Sequence, residues 1–184
     1  MPYAAGDSLE RRLEREGPLS LRAALDVARD VASALDHAHS MQIIHRDIKP
    51  GNILLEGDHA LVCDFGVAGA IEVAGGESPS SSGFALGTPA YMSPEQAMGH
   101  GVNVRSDVYS LGCLIYEMLA GEPPFTGSTS QAVLARIVSG QPRSLGTTRP
   151  DVPRHVEEVI LEAIAKLPED RPPTAGALVT RLLG

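Results

Sequence analysis

The sequence has no apolar run near the ~18 residues that a bilayer-spanning helix needs, so no part of it reads as membrane-embedded. It has no run of Lys or Arg, and its formal net charge is −8. Nucleic acid and anionic membrane surfaces are therefore not expected partners. The opening stretch MPYAAGDSLE has neither the basic start nor the apolar core of a secretory signal. Cysteine is scarce: Cys63 and Cys113 each lie inside an apolar run and read as buried free thiols of a reducing compartment. A cytoplasmic location is the expectation. What is present is ordinary for a globular chain: 184 residues, 43% apolar and 21% charged, enough for one domain with a real core.

Periodicity organises most of that length. Residues 8–16, SLERRLERE, predict a short helix stopped by Gly17 and Pro18. Residues 20–40 predict a longer one, with Ser20 as N-cap and Leu21, Leu25, Ala28, Val31, Ala32 and Leu35 at helical spacing. The apolar runs 53–55 and 60–63, joined by EGDH, predict a β-hairpin. Residues 72–87 are rich in Gly, Ser and Pro, a mobile loop by composition. Residues 104–121 are apolar on nearly every face and predict a central buried helix ending at Gly121. Further helical patterns cover about 128–139, 154–165 and 175–183, and no internal repeat is visible.

The densest polar cluster is IIHRDIKPGNILL, residues 43–55, where His45, Arg46, Asp47, Lys49 and Asn52 sit between two apolar runs. HRDIKPGN resembles the H-R-D-L-K-x-x-N of the eukaryotic-like protein kinases. The resemblance continues with DFG at 64–66, GTPAYMSPEQ at 87–96, SDVYSLG at 106–112 and PEDRPPT at 168–174. Five motifs in the family's order and spacing are highly specific. The wording of GTPAYMSPEQ and DVYSLG is most similar to bacterial serine/threonine kinases. Ser93 stands where the family usually has Ala.

The resemblance implies phosphoryl transfer from ATP to a protein Ser or Thr, and the chemistry suits it. A fixed carboxylate can orient the attacking hydroxyl and take its proton late, which is the role implied for Asp47. Lys49 points to the same side of an extended loop, where its charge can meet the transferring phosphate. Asn52 and Asp64 offer hard oxygen ligands from adjacent segments, suited to Mg2+ shared with ATP phosphates. Taken singly, Asp47 could be a loop-capping Asp and Asp64 a turn former before Gly66. By resemblance, His45 and Phe65 are core residues that stack to align the two catalytic segments. Asp107 accepts hydrogen bonds from the catalytic-loop backbone, since a buried carboxylate is otherwise costly. Glu95 and Arg171 form an ion pair, the alternative being two separate surface charges. Thr88 meets Asp47 and helps select Ser or Thr.

Arg46 before Asp47 resembles kinases activated by phosphorylation of the loop 71–90, with Ser80 and Ser82 as candidate sites. A merely flexible Ser-rich loop is the other reading. Gly69, where the family commonly has Arg or Lys, counts against a second phosphate ligand.

No G-x-G-x-x-G occurs, and only 44 residues precede His45. The glycine-rich loop, strand Lys and helix Glu of a kinase small lobe are not expected here. MPYAAGDSL resembles the family's hinge: Met1 as gatekeeper, Ala4 on adenine, Ser8 near the ribose, Leu54 as the adenine floor. The expected fold is α+β and mainly α: residues 1–184 form the large C-terminal lobe of a protein kinase, from hinge to last helix, with a small hairpin near the catalytic loop. The expected cofactors are ATP and Mg2+, and the expected partner is a Ser/Thr protein substrate. Self-association through the uncovered lobe interface is also expected. A truncated or misannotated reading frame is one account of the short N-terminus. The other is a real short protein, a catalytically inactive kinase-like binding or regulatory module.

Overall fold

The computed structural model describes residues 7–65 and 89–184. The chain enters as a two-residue strand, β1 (Asp7–Ser8), that runs into helix α1 (Leu9–Glu16). Ser8 caps that helix by accepting from Arg11 N, and Gly17 ends it at φ +75°. Helix α2 (Leu21–Ser40) starts at Ser20, whose hydroxyl accepts from Ala23 N. Its buried stripe of Ala24, Val27, Ala28, Val31, Ala32 and Leu35 follows the helical spacing of the sequence.

A hairpin follows the polar loop 43–52: β2 (Ile53–Glu56) and β3 (His59–Val62), antiparallel, with β1 on the other edge of β2. The connection is two residues, Gly57 and Asp58, instead of the four expected. Glu56 and His59 pair across it, and Gly57 supplies the φ of +60° that a two-residue loop needs first. β1 was not foreseen, because two residues carry no alternation to read. Cys63 lies beyond β3 and is partly exposed, not buried as expected.

Beyond residue 88 the lobe is helical: α3 (Pro94–Ala97), α4 (Val104–Ala120), α5 (Ser130–Ser139), α6 (Leu145–Thr148), α7 (Arg154–Ala163) and α8 (Ala175–Leu183). Helix α4 is buried on every face from Ser106 to Tyr116. It packs on α2, α7 and α8 and forms the axis of the core. Gly112 is what allows α7 so close: a Cβ there would lie 2.9 Å from Ala163 Cβ and Ile164 Cγ2. Among the described residues this is the mainly helical architecture with a small sheet that the sequence predicted.

Candidate active site

The loop that carries His45, Asp47 and Asn52 crosses between α2 and β2, and its backbone is held by a wholly buried carboxylate. Asp107 Oδ1 accepts from Arg46 N and Oδ2 from His45 N, both at 2.8 Å. His39 Nε2 lies 2.7 Å from the same Oδ2. Three partners compensate the desolvation that would otherwise exclude a charge from the first turn of α4.

His45 is also fully buried. Its Nδ1 accepts from Asp47 N at 3.3 Å, which leaves Nε2 to donate to the Cys63 carbonyl at 3.0 Å. The imidazole thus ties the Asp47 segment to the Asp64 segment, and Phe65 meets it edge-on at 4.6 Å between ring centroids. Both ring nitrogens are therefore committed to backbone groups.

Those contacts aim the polar side chains into one site. Asp47 Oδ2 accepts from Lys49 Nζ at 2.7 Å and from Asn52 Nδ2 at 3.0 Å. Asn52 Nδ2 also reaches the Asp47 carbonyl at 2.7 Å, so the amide oxygen of Asn52 faces away from Asp47. Cys63 N and Sγ both donate to the Asn52 carbonyl, at 3.0 and 3.2 Å. That sets Asp64 beside Asn52. Asp64 itself is exposed, at φ +63°. Leu54 lies mid-sheet between Ser8 and Leu61, and the Ser8 hydroxyl is occupied with its cap.

A second layer of contacts fixes residues 91–96. Arg171 grips Glu95 with two parallel 2.8 Å hydrogen bonds, and Glu95 also accepts from Ser106 Oγ at 2.6 Å. Burial pushes the Glu95 carboxyl up, but Arg171 and Ser106 outweigh it and hold it at about 2. Tyr91 donates from its hydroxyl to Glu117, and Ser110 Oγ donates to the Tyr91 carbonyl. Ser93 caps α3, and Gln96 donates to the Arg46 carbonyl at 2.9 Å.

Ala4, Gly66, Thr88, Ser80 and Ser82, with Met1 and Gly69, lie outside the described residues. Two participants were missed from the sequence, His39 and Gln96. His39 meets a partner 68 positions away and leaves no local pattern. Gln96 completes a capping box with Ser93, which the sequence reading did not single out, and its reach to Arg46, 50 positions back, leaves no local pattern.

Helical order and loop geometry together define the large lobe of a phosphotransferase fold. The structure superposes on the crystal structure of Rad53 1–466 in complex with AMP-PNP with a TM-score of 0.80 and 26% identity, covering 99% of this chain and 46% of that one. The protein kinase domain model matches residues 1–182, and the chain belongs to the protein kinase family. Its relatives include the serine/threonine-protein kinase PknB of Mycobacterium tuberculosis, 41% identical over 97% of this chain. The serine/threonine-protein kinase pkn3 of Myxococcus xanthus is 37% identical over 99% of it. The chain spans 28% of the first relative's length and 35% of the second's.

Proposed function

We propose that this chain is the large lobe of a serine/threonine protein kinase and carries the groups that transfer the ATP γ-phosphate to a protein hydroxyl. The observation that carries the reading is Asp47. Lys49 and Asn52 both hold its Oδ2, while Oδ1 accepts from no donor among the described residues. Oδ1 is the atom that takes the proton of the substrate Ser or Thr as its oxygen bonds to the γ-phosphorus and the bond to the ADP oxygen breaks. Lys49, already beside Asp47, offsets charge on the moving phosphoryl group.

The donor set fits Mg2+. Among the described residues no three His, Cys, Asp or Glu side chains gather into a metal cluster. The Asn52 amide oxygen and the exposed Asp64 carboxylate remain as hard ligands on two bonded segments, the number that a cation keeping its waters and phosphates requires. Bound there, Mg2+ would neutralise phosphate charge. Thr88 as a selector of Ser or Thr, and Ala4, Ser8 and Leu54 around the nucleotide, rest on the resemblance. So do activation through Ser80 or Ser82 and a cytoplasmic setting. Among the described residues no helix is long and apolar enough to cross a membrane. The inactive binding module gains nothing from the relatives, which are named as kinases.

The test uses the full-length natural protein with labelled MgATP. Phosphoamino-acid analysis of the product should show phosphoserine or phosphothreonine. Asp64→Asn should slow transfer and recover in part as Mg2+ is raised, because it weakens a ligand. Phosphotyrosine as the sole product, or an Asp64→Asn rate equal to wild type at limiting Mg2+, would sink the reading.

A further inference from the structure

The carbonyl of Arg46 is held from a direction that the catalytic loop's other contacts do not share. Arg46 sits at φ +70°, a conformation that residues with a Cβ seldom adopt and keep only where their surroundings impose it. From below, Asp107 takes the N–H groups of His45 and Arg46. From the side, His45 takes the N–H of Asp47. From the closing end of the activation segment, Gln96 Nε2 donates to the Arg46 carbonyl at 2.9 Å. That carbonyl belongs to the peptide whose N–H is Asp47's own.

Ser93 decides which way the Gln96 amide points. Gln96 Oε1 accepts from Ser93 N and from Ser93 Oγ, both at 3.0 Å, and Ser93 Oγ accepts from Gln96 N at 3.4 Å. Reversing the amide would put its NH2 against the Ser93 N–H and its oxygen against the Arg46 carbonyl. Ser93 is wholly buried, so water cannot replace these partners. The serine that departs from the family's usual alanine therefore orients the glutamine that reaches the catalytic loop.

We propose that Gln96, oriented by Ser93, is a positioning residue that couples the closing turn of the activation segment to the backbone of Asp47. When α3 is seated, Arg46 is clamped in its left-handed conformation and Asp47 is aimed. When α3 shifts, the clamp opens. The catalytic part of this proposal rests on the kinase reading above; the clamp itself does not.

Gln96→Glu separates the clamp from the cap. Glutamate keeps an oxygen for Ser93 N and Oγ and is a standard third residue of a capping box, so α3 keeps its cap. It loses the donor and sets a carboxylate oxygen against the Arg46 carbonyl. Ser93→Ala is the companion variant, which leaves Gln96 in place but frees its amide to turn. Two readouts apply: amide hydrogen exchange across residues 43–48 in the 184-residue chain, and autophosphorylation kinetics with MgATP in the full-length natural protein. For Gln96→Glu the expected result is about tenfold faster exchange at Arg46 and Asp47 with α4 unchanged. The kcat should fall about tenfold while KM for ATP stays level. Ser93→Ala should move both in the same direction by less. Unchanged exchange at Arg46 and Asp47 in Gln96→Glu overturns the clamp. Faster exchange with unchanged kcat overturns the positioning role. If the wild-type protein transfers no phosphate, the kinase reading fails, and exchange alone decides the clamp.

Discussion

Arg171 commits all five of its N–H donors. Two go to Glu95, and the others reach the carbonyls of Ala165, Arg105 and Lys166. Its guanidinium also lies 4.9 Å from the Tyr109 ring centroid. Removing Glu95 would leave this buried cation without its counter-charge, a loss of about 3–5 kcal/mol. The same pair sets a pH dependence. Glu95 stands at about 2 in the fold against an ordinary 4.5. Between those values the unfolded chain binds the extra proton, so stability rises with pH there. The contribution is complete above pH 4.5 and disappears as pH falls towards 2, worth roughly 3 kcal/mol in all. Urea titrations at pH 6, 4 and 3 should show this slope in the wild type and lack its Glu95 share in Glu95→Gln. Tyr109 is the opposite case: among the described residues its buried hydroxyl makes no well-formed hydrogen bond and has only the weakly polar Cys113 thiol beside it. Tyr109→Phe should be neutral or raise the melting temperature, because it removes an unpaired polar group. A clear fall in melting temperature would show that the hydroxyl is satisfied after all.

Helix ends do much of the joining between elements. Asp36, near the end of α2, accepts from Ala175 N at 3.1 Å and Gly176 N at 2.9 Å and so caps α8 from outside. A Cβ on Gly176 would lie 2.5 Å from Asp36 Oδ2. Asp36→Ala should cost about 1 kcal/mol, as loss of a cap does. Gly176→Ala should destabilise through the clash, which the double variant relieves. A double-mutant cycle by chemical denaturation should therefore give a cost below the sum of the singles, and simple additivity would contradict the contact. Asp107→Ala acts between α4 and the catalytic loop and should cost roughly 1–3 kcal/mol for each donor left buried and unpaired. The long elements were legible because α2 carries a polar N-cap and an apolar period, and α4 a long apolar run stopped by Gly121, each within one continuous stretch. The four-residue helices α3 and α6 were not, since one turn has no period. Pairing of β1 with β2 depends on contacts some 46 residues apart, from Ser8 to Leu54, and no local window contains both.

At the scale of the whole molecule, and among the described residues, Phe65, which meets His45, is 37% exposed, and Leu61 on β3 is 43% exposed. Exposed apolar side chains favour association, so the 184-residue chain by itself should form dimers or larger species in light scattering. A monodisperse monomer at high concentration would count against it. The chain has no glycine-rich phosphate loop. Alone it should bind MgATP no more tightly than the millimolar range, about −4 kcal/mol, and a low-micromolar calorimetric constant would refute that. At this scale the active-site loop was the most legible part, because its polar residues are contiguous in sequence. Asp107's support was already implied by the resemblance; what folding adds to it is His39 and Gln96, brought in from two other helices.

The most direct test of the account is the turnover of Asp47→Asn in the full-length protein at saturating MgATP, with the melting temperature measured alongside. Asparagine keeps the shape and can still accept from Lys49 through its oxygen, but it cannot take the substrate proton. The account predicts a loss of roughly 100-fold or more at a nearly unchanged melting temperature, with no recovery as Mg2+ is raised. Near-normal turnover in the folded variant would contradict it.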